Sequence, residues 1–197
     1  LPPFQHSSED VVNLANKITL SRIPAAFLFM GVLYWDSLPW HTTIALGIFA
    51  AACLTDTIDG TVARRLNIIS PFGIFFDPVA DKILIGSAFI CLTGLGIFPA
   101  WAVVLLLARE FAVTGLRMVA ADQKVVLTAE TGGKLKTFVH AFTVNYFLIR
   151  LSLERDFKWY TQPISPLEVH VFLAICLFLS LYTGTIYFYK NARLLDP

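Results

Sequence analysis

Residues 56–81 read DTIDGTVARRLNIISPFGIFFDPVAD. Asp56 and Asp59 are three apart, and Asp77 and Asp81 are four apart. On an α-helix either spacing stacks the two side chains on one face, with roughly 5–6 Å between their Cβ atoms. The flanks decide the architecture. HTTIALGIFAAACL (41–54) leads in and ILIGSAFICLTGLGIF (83–98) leads out, both strongly apolar. Two apolar helices, each with a carboxylate pair at the end nearest the other, would bring all four acids to one spot near a membrane surface.

Anions gathered this closely need a counter-charge. Hard divalent cations prefer oxygen ligands, so Mg²⁺ or Mn²⁺ suits a carboxylate site completed by water better than zinc does. A pair of ions about 3.5–4 Å apart would clamp both oxygens of an in-line phosphoryl displacement. The bland alternative is that the acids complement helix dipoles or face water. It suits one aspartate better than four at paired spacings between apolar runs, because ionisable residues near membrane spans default to function.

Composition agrees with a membrane domain. Of 197 residues 56% are hydrophobic and 15% charged, and the mean hydropathy is +0.68, well above ordinary soluble usage. We read a tail at 1–12 with little fold content and one membrane-embedded domain at 13–197. The first residue is Leu1 rather than methionine, which reads as a processed or trimmed start, and no secretory cleavage pattern follows the first apolar run. The net charge of +1 names no partner, and no basic run of the kind that binds nucleic acid occurs. Cys53, Cys91 and Cys176 lie in apolar stretches without paired spacing, so they read as small buried hydrophobes.

Apolar segments of membrane length fall near Ile18–Trp35, Thr42–Thr57, Ile74–Leu95, Ala100–Val119, Leu135–Leu153 and Pro166–Tyr189. Turn chemistry breaks them at DSLP, SPFG, TGLG with Pro99, TGG and QPISP. The fold class is thus all-α, a six-helix integral membrane bundle. A short amphipathic helix over Asn13–Arg22 is expected to lie at the interface before the first span. With six spans, one side receives Lys17, Arg22, Arg64, Arg65, Arg117, Lys124, Lys134, Lys136, Lys190 and Arg193, and the other Arg155 and Lys158. The positive-inside rule then puts both termini and the carboxylates at the cytosolic side.

The pattern D-x2-D-G-x2-A-R-x8-G-x3-D-x3-D is carried by Asp56, Asp59, Gly60, Ala63, Arg64, Gly73, Asp77 and Asp81. It resembles the signature of the CDP-alcohol phosphotransferase family of integral membrane enzymes, and the likeness runs from about Asn13 to Lys190. The resemblance implies that Asp56, Asp59, Asp77 and Asp81 ligate the metal, with Asp81 also the general base. It implies a CDP-diacylglycerol site at Thr19, Arg22, Gly60, Ala63, Arg64, Ser70 and Gly73, and a homodimer. The opening of the enzyme matches at Asn16, Thr19 and Arg22, but Ala15 stands where the family commonly has proline. Other readings remain for these residues: helix packing for the small ones, interfacial anchoring for Lys17 and Arg22. Pro78 is expected within the first turn of the helix that Asp77 starts.

A second constellation, AREFAVTGLR, carries Arg109, Glu110 and Arg117. The arginines are two turns apart and share a face, whereas Arg109 and Glu110 are adjacent and need not pair. GGKLKT adds Lys134 and Lys136. Together the cations suit a second phosphate; the alternative is snorkelling lysines and a structural arginine–carboxylate pair. The two motifs resemble the phosphatidylglycerophosphate synthase branch. That likeness implies sn-glycerol 3-phosphate as acceptor, its phosphate on Arg109, Arg117, Lys134 and Lys136 and its free hydroxyl toward Asp81. The rival acceptors are inositol phosphate and phosphatidylglycerol. The rival from another class is a cation transporter, which explains the acids and the spans but not Arg64 beside them.

Overall fold

The computed structural model describes residues 21–66, 71–122, 131–159 and 162–191. For 56–66, 71–78, 81, 121–122 and 131 it describes the helical backbone alone. Among these described residues six helices are seen: α1 (Ser21–Leu33), α2 (His41–Leu66), α3 (Pro71–Gly94), α4 (Ala100–Asp122), α5 (Thr131–Arg155) and α6 (Pro166–Lys190). No strand occurs among the described residues, so the all-α expectation holds. The 1–12 tail, and all of the expected interfacial helix except Ser21 and Arg22, lie outside them.

The helices overlap the six apolar segments but are not bounded by them. α2 continues past the apolar run to Leu66, through Thr, Asp and Gly60, which are weak helix formers, to Ala63, Arg64, Arg65 and Leu66, which are good ones. Asp56 and Asp59 therefore lie two to three turns inside α2 rather than at its end. α3 begins at Pro71, in the first-turn position where a missing N–H costs nothing. That puts Asp77 and Asp81 inside α3 as well, and Pro78 in its interior instead of its first turn. Proline there has no N–H for the Ile74 carbonyl, so the helix lacks one rung. TGG, expected as a break, forms the first turn of α5. The physical reason is packing: a Cβ on Gly132 would meet Thr183 Cγ2 at 3.0 Å, so the glycine serves close approach rather than a turn.

Among the described helices only α6 is both long and apolar enough to cross a membrane, with 25 residues and a mean hydropathy of 2.0 in its most apolar window. The apolar helices Ser21–Leu33, His41–Thr55 and Lys82–Gly94 are shorter. Length and hydropathy thus identify one candidate span. Acids and bases interrupt the apolar runs of α2, α3, α4 and α5.

The chain forms two compact units, Leu1–Ala88 with Phe147–Thr161, and Phe89–Tyr146 with Gln162–Pro197. In the first, Phe29 of α1 packs on Phe49 of α2 with ring centroids 5.5 Å apart. The start of α2 is fastened to the end of α5. Asp156 accepts hydrogen bonds from the Thr43 backbone N–H and hydroxyl, both at 2.6 Å, and Ser152 Oγ lies 2.6 Å from Thr43 Oγ1. A carboxylate here satisfies an otherwise orphan amide and opposes the positive end of the helix dipole. Trp40, at φ 61°, sets its ring edge-on to Phe157 at 4.8 Å.

In the second unit α6 starts at an N-cap, Ser165, whose side chain accepts from Leu167 N–H, with proline following it. It buries one seam: Val169, Leu173, Cys176, Ser180, Gly184 and Tyr187. Contacts fix its direction against its neighbours. Arg109 meets Thr183 and Arg117 meets Tyr187, so α4 and α6 run parallel. Thr143 meets Cys176 and Tyr146 meets Glu168, so α5 runs antiparallel to α6. Cys91 and Cys176 are buried, as their apolar setting implied, Cys53 is half-buried, and none of the three is in a disulfide.

Candidate functional site

The signature aspartates fall on helices at the spacings that put each pair on one face: Asp56 and Asp59 on α2, Asp77 and Asp81 on α3. Gly60, Ala63 and Arg64 follow on α2, and Gly73 opens α3. The side chains of these residues, and Thr19 and Ser70 entirely, lie outside the described residues. Arg22 is described: it sits on α1 and is 5% exposed. An arginine buried this far in an apolar helix is held by partners rather than by water.

The second constellation is seen in atomic detail. Arg109 on α4 donates through Nη1 to Glu110 Oε1 at 2.8 Å and through Nη2 to Thr183 Oγ1 on α6 at 2.8 Å. Lys136 on α5 donates to the same Glu110 oxygen. One carboxylate oxygen therefore serves two cations from two helices. The expectation that Arg109 and Glu110 need not pair is corrected: both side chains are long enough to bend toward each other off neighbouring helix positions. The arginine–carboxylate pair of the structural alternative is real. It ties Arg109 and Lys136 to one carboxylate; Arg117 and Lys134 stand on the same two helices.

Arg109 and Arg117 share a face, as their spacing implied. Arg117 Nε donates to the Tyr187 hydroxyl at 3.2 Å, and its guanidinium lies 5.3 Å from the Tyr187 ring centroid, within cation–π range. Arg117 is otherwise exposed, as is Lys134. Val113 and Leu116 of α4, which lie between the two arginines in sequence, pack with Tyr187. His140 is buried one turn beyond Lys136 and stacks edge-on against Phe89 at 5.5 Å.

Sequence reasoning missed the contribution of α6. Thr183, Gly184 and Tyr187 hold the arginines, and the signal was present: TGT at 183–185 is a small polar trio inside the one described helix long and apolar enough to cross a membrane. Hydropathy alone reads that helix as an anchor.

Comparison with known proteins follows the same lines. The family model described as CDP-alcohol phosphatidyltransferase matches residues 12–184. A Mycobacterium tuberculosis protein named probable phosphatidylglycerophosphate synthase is 40% identical over 188 residues, which are 93% of this chain and 83% of that protein. A Bacillus subtilis protein named CDP-diacylglycerol–glycerol-3-phosphate 3-phosphatidyltransferase is 36% identical over 190 residues, covering 91% of this chain and 95% of its own. A Rickettsia bellii protein of the same name is 34% identical over 176 residues, covering 89% and 93%. Nothing in these relationships supports the cation transporter.

Proposed function

This chain belongs to the CDP-alcohol phosphatidyltransferase family, and on that premise we propose that it transfers a phosphatidyl group from CDP-diacylglycerol to sn-glycerol 3-phosphate. The products are phosphatidylglycerol phosphate and CMP, a step of phospholipid biosynthesis. The observation that carries the reading is the complete aspartate signature at helical spacing on α2 and α3. The relatives' names favour glycerol 3-phosphate among the possible acceptors.

The donor set fits a hard divalent cation: four carboxylates, no soft ligand among them. Asp56, Asp59, Asp77 and Asp81 would hold Mg²⁺ or Mn²⁺, two ions in our reading, which when bound supply counter-charge to the pyrophosphate and acidify the acceptor hydroxyl. Asp81 takes the proton of that hydroxyl, whose oxygen attacks the phosphorus bonded to diacylglycerol. The bond to CMP breaks, and Arg64 forks onto the departing phosphate. Thr19, Arg22, Gly60, Ala63, Ser70 and Gly73 line the nucleotide side, where small residues let a ligand approach the backbone. Arg109, Arg117, Lys134 and Lys136 bind the acceptor phosphate. Their support is the Arg109–Glu110–Lys136 assembly, which fixes two cations and leaves an excess of positive charge. Catalysis is then positioning plus electrostatic stabilisation, with no covalent enzyme intermediate.

We place the enzyme across the bilayer, with six spans, cytosolic termini and active site, and a homodimeric state. The outward and inward faces of α5 support immersion. Leu135, Phe138, Phe142 and Ile149 are exposed while Lys136, His140, Thr143 and Arg150 are buried, the reverse of a helix on a soluble protein. α6 shows the same apolar outer face at Leu167, Val171, Ile175 and Phe178.

The test is CMP release by the purified protein from CDP-diacylglycerol with a panel of acceptors. Turnover with glycerol 3-phosphate is expected, abolished by EDTA and restored by Mg²⁺ or Mn²⁺. Preference for inositol phosphate or phosphatidylglycerol would reassign the acceptor. Absence of CMP release with every acceptor would refute the enzyme.

A further inference from the structure

The arginines of α4 do not hold their own positions. The Arg109 stem lies directly on the α6 backbone: a Cβ on Gly184 would fall 2.7 Å from Nε, 3.1 Å from Cγ and 3.5 Å from Cδ of Arg109. Only a residue without a side chain leaves that path open. One position earlier, Thr183 Oγ1 accepts from Arg109 Nη2 at 2.8 Å and gives its own proton to the Leu179 carbonyl at 2.7 Å. The threonine hydroxyl has one proton. With that proton on the carbonyl, its lone pairs are turned to the guanidinium. On its other side the Thr183 methyl rests against Gly132 of α5, whose added Cβ would come within 3.0 Å. One turn later Tyr187, 5% exposed, offers its hydroxyl and ring face to Arg117.

We propose that Thr183, Gly184 and Tyr187 of α6 are positioning residues for acceptor binding. They aim Arg109 and Arg117 at the acceptor phosphate without touching the substrate. The inference rests on the reading that these arginines bind that phosphate. Its sharpest element is Gly184. Ordinary carbon contacts lie near 3.5–4.0 Å, so an alanine there displaces the arginine stem by about 1 Å, enough to cost on the order of a hundredfold in a positioned interaction. A merely structural glycine predicts something else: loss of folded protein, with the remaining molecules binding acceptor normally.

The experiment uses the full chain in lipid nanodiscs. Gly184→Ala should raise the KM for glycerol 3-phosphate at least tenfold while the KM for CDP-diacylglycerol stays within twofold. Thr183→Val should act in the same direction and Thr183→Ser should recover most of the loss. In an Arg109→Ala background Gly184→Ala should add nothing, because its target is gone; additive effects of the two changes would mean independent action. A second readout needs no turnover: protection of the protein against heat by inorganic phosphate, whose half-maximal concentration should rise in the same variants. If the wild type turns over and folded Gly184→Ala and Thr183→Val show unchanged acceptor KM, the positioning role is wrong. If the wild type releases no CMP but phosphate protection depends on Arg109, Thr183 and Gly184, the reaction is wrong and the positioning role stands. If Gly184→Ala does not fold, the Thr183→Val and Thr183→Ser pair decides.

Discussion

Replacing Glu110 with glutamine keeps the shape of the side chain and removes its charge, which isolates what the shared carboxylate does. In the wild type one oxygen of Glu110 accepts from Arg109 and from Lys136, and the three side chains are 16%, 11% and 8% exposed. A charge-assisted hydrogen bond contributes about 1.5–3 kcal/mol and a neutral one about 0.5–1.5. Two such bonds weakened together cost roughly 2–3 kcal/mol. The partial exposure keeps the figure below the 3–5 kcal/mol of a fully buried broken pair. For a chain of this size about 1 kcal/mol moves Tm by roughly 2–4 °C, so Glu110→Gln should melt roughly 4–12 °C lower. The distinguishing result comes on adding ligand. If this is an anion site, glycerol 3-phosphate replaces the missing negative charge, so its stabilisation, which grows as RT ln(1 + [L]/Kd), is larger in the variant than in the wild type. The assay is thermal unfolding in detergent across a glycerol 3-phosphate titration. A variant as stable as the wild type, or a gap that ligand does not narrow, refutes the reasoning that Glu110 balances cations meant for a phosphate.

Other substitutions test separate parts. Asp81→Asn should abolish CMP release while CDP-diacylglycerol still protects the protein from heat; normal turnover would remove Asp81 from the base role. Arg117→Ala should raise the KM for glycerol 3-phosphate about tenfold and leave that for the lipid unchanged, and the opposite pattern would relocate the acceptor phosphate. Asp156→Ala strips the start of α2 of its acceptor for Thr43 and should cost about 1–2 kcal/mol by the usual worth of a helix cap, read as a lower Tm with unchanged substrate KM values.

Much of this was legible from local pattern. Four aspartates at helical spacing, and arginines two turns apart, are statements about one helix at a time, and periodicity carries them. Where the sequence misled, the missing knowledge was of neighbours. TGG at 131–133 carries the signature of a turn, yet Gly132 is small because Thr183 lies against it. Arg109 and Glu110 point apart on an ideal helix, yet Lys136 from α5 draws the carboxylate to a shared position with Arg109. Helix ends were misplaced for a related reason. Hydropathy marks where apolar surface stops, and α2 continues past that point through Thr, Asp and Gly60, residues of weak helix propensity, so neither hydropathy nor propensity marks its end.

The long apolar helix α6 then acquires a specific task. Residues 169–189 of α6 hold no acid, lysine or arginine, and Glu168 lies in the first turn, so most of α6 brings no formal charge with it. A charged helix binding a phosphate must keep flexible arginine side chains aimed, and each immobilised long side chain costs up to about 2 kcal/mol of rotamer entropy. That cost falls if a neighbour supplies a surface on which few rotamers fit. α6 does this with a bare Cα under the Arg109 stem, an oriented hydroxyl for its guanidinium and a tyrosine for Arg117. Division of labour follows: α4 and α5 carry the charges, and α6 restricts them. On this argument, replacing Tyr187 with phenylalanine should weaken acceptor binding less than replacing it with alanine. The ring that Arg117 stacks on survives in the phenylalanine variant and only the hydrogen bond at 3.2 Å is lost. Equal losses in the two variants, measured as acceptor KM, would show that the hydroxyl alone holds Arg117.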